Sequence, residues 1–124
     1  MARDLSATES PDLEVVLDAL DDADARAIIR ALEEPMTASQ LSEACDIPLS
    51  TMYRKLELLT DAELLNEGTQ IRSDGHHATT YEVAFDAVRI ELTDGLDLDV
   101  AIEGRERRPD QRLADLWTEV RRET

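Results

Sequence analysis

Two hydrophobic periods divide the chain. From residue 10 to 32 large apolar residues recur at three- and four-residue spacing: Leu13, Val16, Leu17 and Leu20, then, after a break at Asp21-Asp22, Ala25, Ile28, Ile29 and Leu32. This spacing predicts two amphipathic helices. Ser10 is the expected cap of the first, with Pro11 in its first turn, where a missing N–H costs nothing. Glu33-Glu34-Pro35 closes the second, and residues 1–9, polar and aperiodic, are expected to form a flexible arm.

The next stretch, 37–65, reads TASQLSEACDIPLSTMYRKLELLTDAELL. Thr37 and Gln40 have the spacing of a capping box, and Ala38, Leu41, Ala44 and Cys45 form one face of a short helix. Pro48 disfavours helical geometry at Ile47, and Asp46 tolerates the left-handed conformation of a tight turn. A second helix then begins near Leu49 with Met52, Leu56 and Leu59 on one stripe. At about 100° per residue Arg54 points away from that stripe, among Ser50, Thr51 and Glu57, with Tyr53 and Lys55 at its margins. A short helix, a tight turn and a second helix with a hydrogen-bonding outer face make a helix-turn-helix, in which the second helix reads DNA.

Beyond it the period shortens to two. Residues 64–72 read as a strand in which Gly68 marks a candidate bulge, Ser73-Asp74-Gly75 is turn chemistry, and the return strand over 78–85 places Tyr81, Val83 and Phe85 on one face. Residues 86–104 alternate again. Val88, Ile90 and Leu92 lead into a Thr93-Asp94-Gly95 turn, and Leu96, Leu98, Val100 and Ile102 follow it. This second hairpin can cover an edge of the first, pair with a second subunit or line an effector pocket. Last, Leu113, Leu116, Trp117 and Val120 recur at i, i+3, i+4 and i+7, giving a terminal helix with one apolar stripe. A helix of roughly 14 residues is marginal alone in water, so the stripe must be buried against its own domain or, as expected here, a second subunit.

The run 47–65 resembles the recognition-helix segment of winged-helix regulators of the ArsR-like and MarR-like superfamily, especially the small regulators of halophilic archaea. The resemblance spans about 11–85 and rests on Pro48, Ser50-Thr51, the polar set Tyr53-Arg54-Lys55, Leu56 with Leu59, and Asp61-Ala62-Glu63-Leu64 leading into a strand. It implies an α+β winged helix-turn-helix over 10–85, to which the residue pattern adds the extra hairpin over 86–104 and an expected C-terminal dimerisation helix over 105–124. It also implies that the wing tip lies over the DNA backbone or minor groove. Ser50, Thr51, Tyr53 and Arg54 are then candidate base readers, and Lys55, Arg72, His76 and His77 candidate phosphate contacts. The cysteine-pair metal motif of the metal-sensing ArsR branch is absent, and consecutive strand residues such as His76 and His77 point to opposite faces, so no metal or other cofactor is expected.

Composition sharpens the question of partner. The formal charge is −16, from 29 acidic and 13 basic residues, and the basic set is 12 Arg with Lys55 alone as lysine. Phosphate contacts depend on Lys and Arg, so this balance at first argues against nucleic acid. Acid spread along the whole chain, however, resembles the surfaces of proteins from organisms with molar cytosolic salt, where the Debye length is about 3 Å and long-range repulsion is screened. Local charge then carries more information. Residues 1–34 hold ten acids against three Arg, whereas 49–60 hold Arg54, Lys55 and Glu57.

One cysteine excludes an internal disulfide, and Cys45 is either a buried small hydrophobe, which its helix face favours, or a redox sensor. Neither a membrane-length apolar run nor a secretion signal is present, so a cytoplasmic location is expected. No nucleophile with a base, phosphate-binding glycine loop or metal-ligand set suggests an enzyme. The expected partners are double-stranded DNA and a second copy of the chain, with a small-molecule or redox effector unspecified. The alternative is a winged-helix protein-interaction module without direct DNA reading.

Overall fold

The computed structural model describes residues 12–105, in which four helices lead into two β-hairpins. The arm over 1–9, the Ser10-Pro11 helix start and the stripe of Leu113, Leu116, Trp117 and Val120 lie outside the described residues.

Each of the first two helices opens on an aspartate. Asp12 accepts the Glu14 N–H at 3.1 Å ahead of α1 (Leu13–Asp21), and Asp22 accepts the Ala25 N–H at 2.9 Å ahead of α2 (Ala23–Ala31). Both carboxylates satisfy amides without an intrahelical partner, at the positive ends of the helix dipoles. The cap of α1 is therefore Asp12 rather than Ser10. Its buried face centres on Val16 and Ala19, while Leu17, expected to face inward, lies 100° around the helix from Val16 and is 42% exposed.

The two helices bury Ala25 and Ile28 together with Leu41 of α3 (Ala38–Cys45) and Met52, Leu56 and Leu59 of α4 (Leu49–Asp61). Each buried Ile, Leu or Met contributes about 1.5–3 kcal/mol of transfer free energy. Ala44 of α3, expected on the apolar face, is exposed. α4 ends in a Schellman motif: the Leu64 N–H donates to Leu59 O at 3.0 Å, the Glu63 N–H to Thr60 O at 2.9 Å, and Glu63 takes φ 64°. Buried Leu64 packs into the same core as Leu59.

β1 (Met36–Thr37), β2 (Leu65–Ile71) and β3 (His77–Val83) form an antiparallel sheet in the order β1-β3-β2. The β2–β3 ladder runs unbroken from Leu65↔Val83 to Ile71↔His77, so Gly68 marks no bulge. It faces Thr80, and a Cβ there would lie 3.2 Å from the Thr80 hydroxyl. The glycine lets the two strands close on that side chain.

Phe85, expected at the end of the wing, instead opens β4 (Phe85–Leu92), which pairs with β5 (Leu98–Gly104) in a separate sheet. Ala84 is the corner between the hairpins. Its N–H donates to Leu64 O at 2.9 Å and its carbonyl accepts the Arg105 N–H at 2.8 Å. The second hairpin thus does not extend the wing sheet; it packs on α1 through β5, with Val100 buried. The left-handed residue of its turn is Leu96, at φ 67°, rather than Gly95; the Leu96 N–H donates to Thr93 O at 2.8 Å.

Candidate nucleic-acid interface

The corner between α3 and α4 is locked by four residues. Asp46 adopts φ 58° and ψ 46°, a left-handed conformation open to a short polar side chain. Ser42 then holds Ile47 twice: its hydroxyl donates to Ile47 O at 2.5 Å, and its carbonyl accepts the Ile47 N–H at 3.1 Å. Ile47 is buried under the turn, and Pro48 starts α4 by offering its carbonyl to the Met52 N–H at 2.8 Å. At the other end of α3 the capping box is complete. Gln40 Oε1 accepts the Thr37 N–H at 2.9 Å and Thr37 Oγ1 accepts the Gln40 N–H at 3.2 Å.

With Met52, Leu56 and Leu59 inward, α4 presents Ser50, Tyr53 and Arg54 to solvent beside Glu57; Thr51 is half-buried at the margin. Lys55 departs from its expected place. Its ammonium lies 2.5 Å from Asp22 Oδ2, with both side chains only 21% exposed. Position 55 flanks the buried stripe, so its side chain runs back across the domain to the N-cap of α2 instead of outward with Arg54. That contact, first of all, holds the Asp22 carboxyl below its ordinary range against the opposing cost of burial, and the Ala25 amide adds a lesser pull in the same direction as Lys55.

The wing tip is shaped by Asp74 and Gly75. Gly75 takes φ 87°, its N–H donates to Arg72 O at 2.9 Å, and the Arg72 N–H donates to His76 O at 2.8 Å. Asp74 accepts the His76 N–H at 3.0 Å and lies 3.2 Å from His76 Nδ1, and these two contacts with His76 hold its carboxyl below the usual range. Arg72 and both histidines are exposed, and His77 opens β3 opposite Ile71. His76 shares the tip with an anion.

Tyr53 of α4 and Arg72 of the wing line one cleft of about 220 Å³, together with Thr37, Ala38 and Ser39 at the start of α3 and Ala78, Thr79 and Tyr81 of β3. A guanidinium, hydroxyl groups and the amide end of a helix converge there, a donor set that suits an anionic oxygen. Ser39, Thr79 and Tyr81 carry no sequence signal that marks them as site residues. Tyr81 reads in sequence as an inward strand residue, and it is indeed buried, yet it borders the cleft. Burial, then the charge of Glu67 and the neighbouring Tyr53, push its phenol above its ordinary value, so it remains a neutral donor at physiological pH.

Two further features bear on the expectations. Cys45 is half-buried, with Sγ 3.9 Å from Ala27 O, and burial followed by the charge of Asp24 pushes its thiol upward, away from the reactive thiolate. A wider cleft of about 580 Å³ lies between the base of the wing and the second hairpin, bordered by Glu63, Glu67, Ala84 and Ile102. Among the described residues no helix is long and apolar enough to cross a membrane.

Comparison with known proteins returns to the same segment. Residues 20–68, from the end of α1 to the middle of β2, match a family model described as a helix-turn-helix domain. A solved structure, a possible transcriptional regulator from Methanosarcina mazei Go1, is similar at 21% identity with a TM-score of 0.46, over 56% of this chain. The similarity covers 62% of that protein, less than two thirds of its length. No curated protein matches the chain. The matched segment and the order of elements together give the architecture: an α+β winged helix-turn-helix followed by an additional β-hairpin.

Proposed function

We propose that this chain is a cytoplasmic, sequence-specific DNA-binding regulator of transcription, of the ArsR-like or MarR-like kind, that acts as a homodimer. The observation carrying this reading is the convergence of α4 and the wing. Ser50, Tyr53 and Arg54 stand outward on one helix, and Tyr53 shares a cleft with Arg72 of the wing and the amide end of α3. With α4 in the major groove, Arg54 would bond a guanine at two acceptors, Ser50, Thr51 and Tyr53 would approach neighbouring edges, and the cleft would hold a backbone phosphate. One such helix covers only a few base pairs, and a two-fold pair of them would supply a second half-site about one helical turn away.

The engagement of Lys55 with Asp22 leaves Arg54 as the one cation on the outward side of α4, beside Glu57 and the exposed Asp61 of its last turn. That thin balance favours a second reading, in which the same surface docks on a basic protein partner. Selection of bound fragments from a genomic DNA library in molar KCl, with Arg54→Ala in parallel, separates the two. A two-fold symmetric site, with discrimination at one position per half-site reduced by about 1–3 kcal/mol in the variant, is the expected result. Absence of enrichment at every salt concentration would exclude the DNA reading and leave the protein partner.

A further inference from the structure

The β4–β5 hairpin is covered at one end and bare at the other. Its register sets Val88 opposite Ile102, Ile90 opposite Val100 and Leu92 opposite Leu98, so six aliphatic residues share one face. Near the base Val100 is buried against the helical core, with Val88 and Ile102 packed beside it. Towards the tip Ile90 is 44% exposed, Leu98 54% and Leu92 62%, and Leu96 at the turn is 74% exposed. The opposite face carries Arg89, Glu91, Asp99 and Glu103, as a solvated face should. A chain of net charge −16 that sets aliphatic residues along one bare face keeps them for a contact.

We infer that the contact is made by the chain's own C-terminal segment: Leu113, Leu116, Trp117 and Val120 pack in cis on Ile90, Leu92 and Leu98. Three considerations select this occupant. First, the segment leaves from the hairpin itself. β5 ends at Gly104, the Arg105 N–H is bonded to Ala84 O, and the Arg105 guanidinium lies 3.2 Å from Asp86 of β4. Second, it reaches. Nine residues from Gly104 to Leu113 span up to about 30 Å, while the seven residues of β5 cover only about 20 Å from base to tip. Third, a second copy meeting hairpin to hairpin would find too little surface. Four partly exposed aliphatic side chains fall well short of the roughly 800 Å² per partner of a standard stable interface, whereas a tether supplies a millimolar effective concentration at no such requirement. No described residue covers the bare face of the hairpin, and the apolar stripe in the sequence of the tail would provide a cover. The inference is independent of DNA binding.

Trp117 is the sole tryptophan and reports directly on the contact. In the folded chain its emission is expected to lie to the blue of the denatured chain, at a wavelength that does not change over a hundredfold range of concentration. Leu92→Glu is expected to return it to the wavelength of the denatured chain while far-UV circular dichroism still reports the helices. Leu116→Asp, which leaves residues 12–105 untouched, provides the reciprocal test. It should increase amide exchange at Ile90 and Leu92 and spare Ile28. Emission at the denatured wavelength in the unaltered protein, or no response to either substitution, would overturn the inference. A blue emission that develops only with rising concentration, alongside a dimer in sedimentation, would overturn the cis arrangement in favour of a second copy.

Discussion

Replacing Lys55 separates two uses of the one lysine in the chain. Its ammonium and the Asp22 carboxylate lie 2.5 Å apart with about four-fifths of each side chain buried. A hydrogen bond between charged groups contributes about 1.5–3 kcal/mol, and the partial desolvation of both offsets some of that, leaving about 1–2 kcal/mol. Lys55→Ala should therefore lower stability by that amount, with a fall in Tm of about 4 °C per kcal/mol for a domain of this size. Asp22→Asn keeps the cap on α2, because an amide oxygen still accepts the Ala25 N–H, and should cost about the same. Asp22→Ala loses cap and pair together, about 2–3 kcal/mol. Lys55→Ala combined with Asp22→Asn should cost less than the two single changes added, by about 1 kcal/mol.

The pH dependence has a definite sign. The Asp22 carboxyl titrates below its unfolded value of about 4, so its contribution is complete above that value and fades as the pH falls through the folded one. The stability gap between the native chain and Asp22→Asn should accordingly close in acid. The assay is chemical denaturation at fixed salt, followed by DNA affinity at several salt concentrations. A lysine that braces the fold leaves the salt slope unchanged, whereas one that neutralises a phosphate lowers it by about 1 per protomer when removed. Unchanged stability with a reduced slope in Lys55→Ala would refute the brace and return Lys55 to the DNA surface.

Three other outcomes follow from local geometry. Glu63 occupies the left-handed position of a Schellman motif, where a side chain costs about 1–2 kcal/mol and glycine costs about 0.5–1 kcal/mol in unfolded-state entropy, so Glu63→Gly should stabilise by about 0.5–1 kcal/mol in denaturant titration. Cys45, half-buried with its thiol pushed up, should react with a disulfide reagent at pH 8 at least tenfold more slowly in the native than in the denatured chain. Thr37→Val keeps the shape of a side chain that is 6% exposed but removes the acceptor for the Gln40 N–H, and should cost about 1–2 kcal/mol in the same titration.

Features set by near neighbours were legible in the sequence. The Thr37–Gln40 box, the left-handed Asp46, the Met52, Leu56 and Leu59 stripe and the aliphatic alternation of the second hairpin each depend on residues within one or two turns. What escaped was decided across distance or by rarer chemistry. Asp22 reads as one more solvated acid in an acidic run; its partner Lys55 lies 33 residues away on another helix. Glu63 and Leu96 take left-handed conformations that sequence pattern assigns to glycine, so Gly95 is the expected turn residue and the end of α4 carries no glycine signal. Gly68 looks like a weakness in a strand until Thr80 stands opposite. In the candidate site, Arg54 and Tyr53 follow from helical phase alone, while Ser39, Thr79 and Tyr81 join it only once β1 draws the wing against α3.

That junction determines how the two halves of the surface meet. β1 is two residues long, yet Met36 pairs with Tyr81 and Thr37 with Thr80, and the chain turns directly from Thr37 into α3. The return strand of the wing is thereby paired with the two-residue strand that ends at the cap of the first helix of the helix-turn-helix. Tyr81, buried at this joint, stands near enough to Tyr53 of α4 for that side chain to help push the Tyr81 phenol above its ordinary value, after burial and the charge of Glu67. The orientation of the wing relative to α4 thus comes from residues 36–37 and 80–81, at the root of the hairpin, and owes little to the tip. Residues 73–77 lie beyond this joint, exposed, with Asp74 and His76 bonded to each other. A change in the tip alters what the wing touches; a change at Thr37 or Tyr81 alters where the whole wing points.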